Sequence, residues 1–229
     1  AARALAQELT ADVTGELEKI AVLARHVQRE LRYEAIEFGV RGQRPNAAAE
    51  TLRLRYGDCK DHALLLVQLL AAAGIESHLA LVDTGWSLMP ELPSLDQFDH
   101  MVVHVPALGA GRLVDSTNKY LDPVTYPPEG LWEAQALVLD PAAPRLLAPP
   151  LRRAQDFRIE SHRVLTLREL EVEVEETLTL HGTFSSWMRY LFSGRGPAQQ
   201  RQLAQELLAD DGSVRLKEFA FESREALEQ

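Results

Sequence analysis

The stretch Arg55-Tyr56-Gly57-Asp58-Cys59-Lys60-Asp61-His62 runs straight into Ala63-Leu64-Leu65-Leu66-Val67-Gln68-Leu69-Leu70-Ala71-Ala72-Ala73-Gly74. From Ala63 to Ala73 the only polar residue is Gln68. A helix apolar nearly all round has to be buried, and Gly74 supplies its C-terminal stop. Asp58 carries the short acceptor side chain that caps a helix N-terminus. Cys59 is thereby predicted in the first turn of a central helix, where unpaired N–H groups and the helix dipole favour negative charge. The charge of Asp58 opposes that effect, and Lys60 partly offsets it.

Upstream, Leu17, Ile20, Ala21, Ala24, Val27 and Leu31 recur at spacings of three and four, which predicts an amphipathic helix over 14–31 with Thr14 as its cap. Residues 33–46 contain Gly39, Gly42 and Pro45 and read as an irregular loop. Downstream of Gly74 the period drops to two. Short strands are expected over 77–82, 101–105 and 112–115, the last after the turn Gly109-Ala110-Gly111. Residues 83–99 have no usable periodicity, and a connection of this length inside a compact domain is usually a functional rim or disordered. Its Trp86, Leu88, Met89, Leu92 and Phe98 either wall a cleft or pin the loop to the core.

Residues 140–155 hold Pro141, Pro144, Pro149 and Pro150 and read as a linker, with a domain boundary near 150. The expected organisation is a core over 1–145 and a smaller β-rich or α+β module over 152–229. In that module Leu170, Val172, Val174, Leu178 and Leu180 share one parity, as in a strand with one buried face. A helix starting at Pro197, with Leu203, Ala204, Leu207 and Leu208 on one side, runs to Gly212. Val214, Leu216, Phe219 and Phe221 suggest a last strand. The fold class is α+β, with a central buried helix on an antiparallel sheet.

Composition narrows the partners. With 229 residues, 46% hydrophobic and 25% charged, the chain is an ordinary globular protein, neither disordered nor collagenous. A net charge of −10 and a pI near 5.2 repel phosphate backbones and anionic lipid. The longest basic run is Leu151-Arg152-Arg153, so no nucleic-acid or membrane-surface partner is expected. No apolar run reaches the length of a membrane span. The single cysteine, Cys59, excludes an intramolecular disulfide and a multi-cysteine metal knuckle.

A nucleophilic thiolate needs a field that favours it, a base for its proton, and a group that orients the base. His62 lies three residues after Cys59 on the same helix and can contact it. His100 and His104 share a strand face about 14 Å apart, so only one can serve Cys59. His100 is favoured because it opens its strand directly after the long loop. Asp115 ends the next strand and can accept the far ring N–H. Cys59, His100 and Asp115, with gaps of 41 and 15, form a candidate triad. Two other readings stay open: Cys59 as a small buried hydrophobe, and a metal site from Cys59, His62 and a third ligand, although structural zinc normally takes more soft ligands.

The run Arg55 to Asp61, the apolar helix to Gly74-Ile75, Phe98-Asp99-His100-Met101-Val102-Val103 and Leu113-Val114-Asp115-Ser116-Thr117 together resemble the transglutaminase-like superfamily. More narrowly they resemble its bacterial branch, in which the core is flanked by β-rich domains. The resemblance covers about residues 14–140, with a weaker echo over 157–222. It implies a papain-like fold with Cys59 as nucleophile, His100 as general base and Asp115 as its orienter. It also implies a native protein longer at its N-terminus and exported to the periplasm of a Gram-negative bacterium. Many relatives carry Lys where this chain has His62. The Cys59 N–H is expected as one oxyanion donor and Gln43 as a candidate for the second. Trp86 and Phe98 are candidates for the substrate cleft.

The expected activity is acyl transfer at amide bonds of a peptide or protein, by hydrolysis and without a cofactor. Transfer to an amine is the alternative within the enzyme class, and a binding or scaffold module that keeps the fold without turnover is the alternative outside it.

Overall fold

The computed structural model describes residues 1–36, 38–85, 88–109, 112–126, 130–132, 134–148, 153–208 and 213–221. The chain divides into two compact units, Ala1–Asp156 and Phe157–Gln229.

The first unit opens with helices α1 (Ala2–Leu9) and α2 (Glu16–Glu30), continues through the two-residue strand β1 (Arg32–Tyr33), and reaches α3 (Ala48–Leu54). Strand β2 (Tyr56–Gly57) then leads directly into α4 (Cys59–Ala72). After α4 come β3 (His78–Val82), β4 (His100–His104), β5 (Leu113–Val114), β6 (Ala136–Val138) and β7 (Arg145–Leu147). The five strands form one antiparallel sheet in the order β5-β4-β3-β6-β7.

Helix α4 is the hub. Helices α1, α2 and α3 and strands β3 and β4 all pack against it. Leu65, Leu66, Leu69 and Leu70 are fully removed from solvent, each stabilising by about 1.5–3 kcal/mol. The helix ends where Gly74 takes φ +77, a left-handed conformation that costs glycine nothing. The Ile75 N–H then donates to the Leu70 carbonyl and satisfies one of the free helix-end acceptors.

The sheet is covered on both faces, which explains why its strands lack clean alternation. Leu79, Leu81, Met101, Val103 and Val114 belong to the cluster built around α4. Ala80, Val82, Val102, Leu113, Ala136 and Val138 face the other way and pack with Leu131 and Ala134.

Three local expectations are corrected in this unit. The cap residue of α2 is Gly15, without a side-chain cap hydrogen bond, so Thr14 does not fill that role. The segment 33–46 is less irregular than its glycines suggest. Strand β1 pairs in parallel with β2, and the Glu34 N–H donates to the Gly57 carbonyl. Residues 140–155 are not wholly a linker, because β7 lies among their prolines and pairs with β6. Pro144 precedes an edge strand, where a missing N–H is tolerated.

The second unit pairs β8 (Ile159–Leu167) with β9 (Val172–Leu180) and adds helices α5 (Thr183–Phe192) and α6 (Pro197–Leu208). Residues 213–221 form no strand. Phe219 and Phe221 instead pack on each other and on Phe192, with ring centroids 4.8–5.4 Å apart. An i, i+2 aromatic pair reads as a strand face in sequence, but here both rings serve one helix residue. Gly212, Pro149 and Pro150 lie outside the described residues.

The asymmetry of α4 is testable by urea denaturation. Leu69→Ala is expected to cost about 2–5 kcal/mol. Gln68→Ala, at the exposed position of the same turn, should stay within about 0.5 kcal/mol of the native protein. Equal losses at the two positions would contradict the burial pattern.

Candidate active site

The start of α4 is held by two buried carboxylates. The Asp58 side chain accepts the N–H groups of Lys60 and Asp61 at 3.0 and 3.3 Å. Asp61 reaches back to the Asp58 N–H at 3.3 Å, which completes a capping box. Asp61 also accepts from the Asn46 N–H at 2.6 Å, from Asn46 Nδ2 at 3.3 Å and from Arg41 at 3.1 Å. The ammonium of Lys60 lies 2.9 Å from Asp58 Oδ2, so the acid beside Cys59 is neutralised locally. Gly57 is required by space. A Cβ there would stand 2.5 Å from the Asp61 Cβ.

Four backbone N–H groups open this helix. Those of Lys60 and Asp61 are taken by the Asp58 side chain, and that of His62 donates to the Asp58 carbonyl. The Cys59 N–H has no partner among the described residues. It is therefore available to stabilise an oxyanion formed next to the Cys59 sulfur. Cys59 itself is 3% exposed.

His100 is the first residue of β4, and Asp115 directly follows β5. Val103 pairs with Val114 and His104 with Leu113, which puts Asp115 on the same sheet face as His100 and one diagonal step away. The contact is made: His100 Nε2 donates to Asp115 Oδ2 at 2.9 Å. The other Asp115 oxygen accepts from the Thr117 N–H at 2.8 Å and the Thr117 hydroxyl at 2.7 Å. The Cys59 side chain is the other group near enough to His100 to act on its pKa. With Nε2 engaged, Nδ1 is the ring nitrogen left to face the thiol.

Burial by itself would lower the basicity of His100. The hydrogen bonds to Asp115 and Cys59, with the charges on both, outweigh it and raise the pKa to about 10. Burial likewise acts to raise the Asp115 carboxyl, but the His100 hydrogen bond and charge and the two Thr117 donors hold it below its ordinary value. An imidazolium held between the Asp115 carboxylate and the Cys59 sulfur is the resting state that follows.

The other histidines separate cleanly. His62 is buried, stands edge-on to Tyr33, and hydrogen-bonds the Ser116 carbonyl through Nδ1 at 3.1 Å. Burial lowers its pKa and the bond to Ser116 does not compensate, so His62 is a neutral brace for the loop that follows Asp115. His104 stacks on His78 across the β3–β4 ladder, four residues along the strand from His100. Gln43 ends a short 3-10 turn and is exposed, and no hydrogen bond joins it to Cys59, His100 or Asp115. Phe98 is half-buried two residues before His100, and Trp86 lies outside the described residues. Among the described residues no group of three or more His, Cys, Asp or Glu side chains is placed to hold a metal ion.

Sequence reasoning missed Asp61, Thr117, Asn46 and Arg41. The first two carried a local signal: Asp61 stands three residues after a helix cap, and Thr117 two after an aspartate. Asn46 and Arg41 had none, because they meet Asp61 only in the folded chain.

The pair predicts a pH window. A histidine whose folded pKa lies above its ordinary 6.5 adds stability that is complete below 6.5 and is lost as pH climbs to about 10. A depressed Asp115 adds stability above its ordinary 3.8 that is lost as pH falls through the folded value. The loss in unfolding free energy on His100→Gln should therefore be larger near pH 5.5 than near pH 10. Equal losses at the two pH values would remove the coupling.

Residues 3–105 match the family described as the transglutaminase-like superfamily, a span that contains Cys59 and His100 and stops before Asp115. No curated protein matches the chain. A structure described as "a putative protease" from Parabacteroides distasonis is similar at 17% identity, over 79% of this chain and 49% of that one, with a TM-score of 0.49. Another, "a putative cysteine protease" from Cytophaga hutchinsonii, is similar at 18% identity, over 50% of this chain and 36% of that one, with a TM-score of 0.35. This chain thus spans about half the length of the first protein and about a third of the second. The segment 3–105, with the capped helix of Cys59 and the strand of His100, belongs to the transglutaminase-like superfamily.

Proposed function

We propose that this chain is a thiol-dependent acyl-transfer enzyme that hydrolyses amide bonds of a peptide or protein. The carrying observation is the arrangement of His100, held by Asp115 at 2.9 Å and acted on at close range by Cys59, with a free N–H at the head of α4 beside the sulfur. In this reading the Cys59 sulfur attacks the carbonyl carbon as the thiolate, its proton being the one His100 carries, and the carbonyl electron pair moves onto the oxygen that the Cys59 N–H receives. His100 already holds a proton and delivers it to the leaving amine as the C–N bond breaks, which leaves a thioester and a neutral imidazole. That imidazole then takes a proton from water, whose oxygen displaces the sulfur. The acid product leaves and the imidazolium is restored. Asp115 keeps Nε2 protonated and the ring oriented throughout.

Cys59→Ala and His100→Ala should each abolish turnover of an amide substrate. Asp115→Asn should lower kcat by about 10³- to 10⁴-fold while the fold persists, because the amide can present the wrong hydrogen-bonding group to the ring. Activity retained in the His100→Ala protein would exclude the mechanism.

Water is favoured as acceptor because an amine must be held by a dedicated site to compete with a solvent near 55 M. Glu91, Asp96 and Asp99 are spread over nine positions of one loop and form no acidic run that would recruit a lysine. With one amide substrate and a primary amine at millimolar concentration, the free acid is the expected product by mass spectrometry. Predominance of the amine adduct would reassign the enzyme as a transferase. The compartment proposed with this reading is the periplasm, on the strength of the family resemblance.

A further inference from the structure

Residues 83–99 leave the sheet after Val82 and return at Asp99, whose N–H donates to the Val82 carbonyl at 3.1 Å. Val82 also pairs with His100 at the end of the β3–β4 ladder. The connection therefore rises from the same end of the sheet as His100.

It is braced twice. At its base the Asp99 carboxylate accepts from the Thr84 N–H at 2.9 Å and the Thr84 hydroxyl at 2.6 Å. Further out, the Gln97 amide accepts from the Met89 N–H at 2.6 Å and donates to the Leu92 carbonyl at 2.6 Å and the Met89 carbonyl at 3.3 Å. One side chain thus orders three backbone groups of a segment that has no regular structure there. What this frame presents to water is apolar: Met89, Leu92 and Leu95 are 53%, 60% and 58% exposed. The segment that follows β1, which is paired with β2, likewise exposes Ile36, Phe38 and Val40. Residues 83–99 also carry Asp83, Glu91, Asp96 and Asp99 and no Lys, Arg or His. The surface is apolar at close range and negative at long range.

We infer that this braced loop is the substrate-selecting wall of the site, taking peptides with an apolar side chain at the residue whose carbonyl is attacked and repelling acidic ones. The inference rests on Cys59 being the nucleophile and names the substrate class of that same site. Leu92 and Leu95 supply the contact, and Gln97 acts on it indirectly as a positioning residue. An apolar contact of this kind discriminates by about 10- to 200-fold.

The test uses two chloromethyl ketones, Ala-Ala-Leu and Ala-Ala-Asp, in which the Cys59 sulfur displaces chloride. Each rate is divided by that of iodoacetamide in the same protein, since iodoacetamide has no side chain to select, and the modified residue is mapped by mass spectrometry. In the native protein the leucine probe should react at least about tenfold faster than the aspartate probe. The double substitution Leu92→Ser with Leu95→Ser should remove most of that ratio. Gln97→Ala should lower it with both leucines still present, an effect that a purely structural role for Gln97 would not produce. A native ratio near one, or an unchanged ratio in the double variant, overturns the inference and leaves the nucleophile in place. Modification of Cys59 by iodoacetamide but by neither peptide overturns the enzymatic reading as well.

Discussion

Two carboxylates buried at one helix end, Asp58 and Asp61, are the constraint on which the site depends. Removing a charge from water costs several kcal/mol, so a buried carboxylate persists only with its partners in place. Asp58 is matched by Lys60 and two N–H groups, and Asp61 by Arg41, Asn46 and the Asp58 N–H. Satisfying all of these at once leaves a single geometry for residues 57–62. That geometry excludes a side chain at residue 57, sets Cys59 at the first helical position, and leaves its N–H as the one uncommitted donor.

The same helix end is tied outward to segments that flank the site. Strand β1 runs beside β2 immediately before Cys59. His62 holds the Ser116 carbonyl, one residue past Asp115. Gln28 of α2, itself buried, donates to the carbonyls of Asn118 and Leu121 further along that loop. Asp115 is therefore positioned from two helices as well as from β5. Misplacing an orienting group by about 1 Å is enough to cost a large factor in rate, which is the physical use of such redundancy.

Burial acts on the three core histidines with one sign and yields different outcomes. For His62 and His104 it prevails and the rings stay neutral. For His100 it is overcome, because the Asp115 carboxylate and the charge on the Cys59 sulfur both act on the ring. Residue type and burial do not distinguish a brace from a proton carrier. The number of anionic partners does.

Much of the core was legible in sequence wherever the signal was local. The apolar run from Ala63, the capping aspartate, the change of period after Gly74 and the strand-end positions of His100 and Asp115 are contained in short windows, because helix and strand periodicities and caps are set by neighbours a few residues apart. Strand β7 was hidden by the prolines around it, and the aromatic pair Phe219 and Phe221 imitated a strand. Selection of His100 over His62 gained its support from an Asp115 contact that spans 15 residues and two strands. The exposure of Gln43, the clamp of Arg41 and Asn46 on Asp61, and the bracing of residues 83–99 by Gln97 and Asp99 have no sequence signature. The sequence by itself determined the helix, its cap and the residue types available for acyl transfer, and only the tertiary structure decided which of them meet, because strand register and the partnering of buried charges depend on contacts between distant segments.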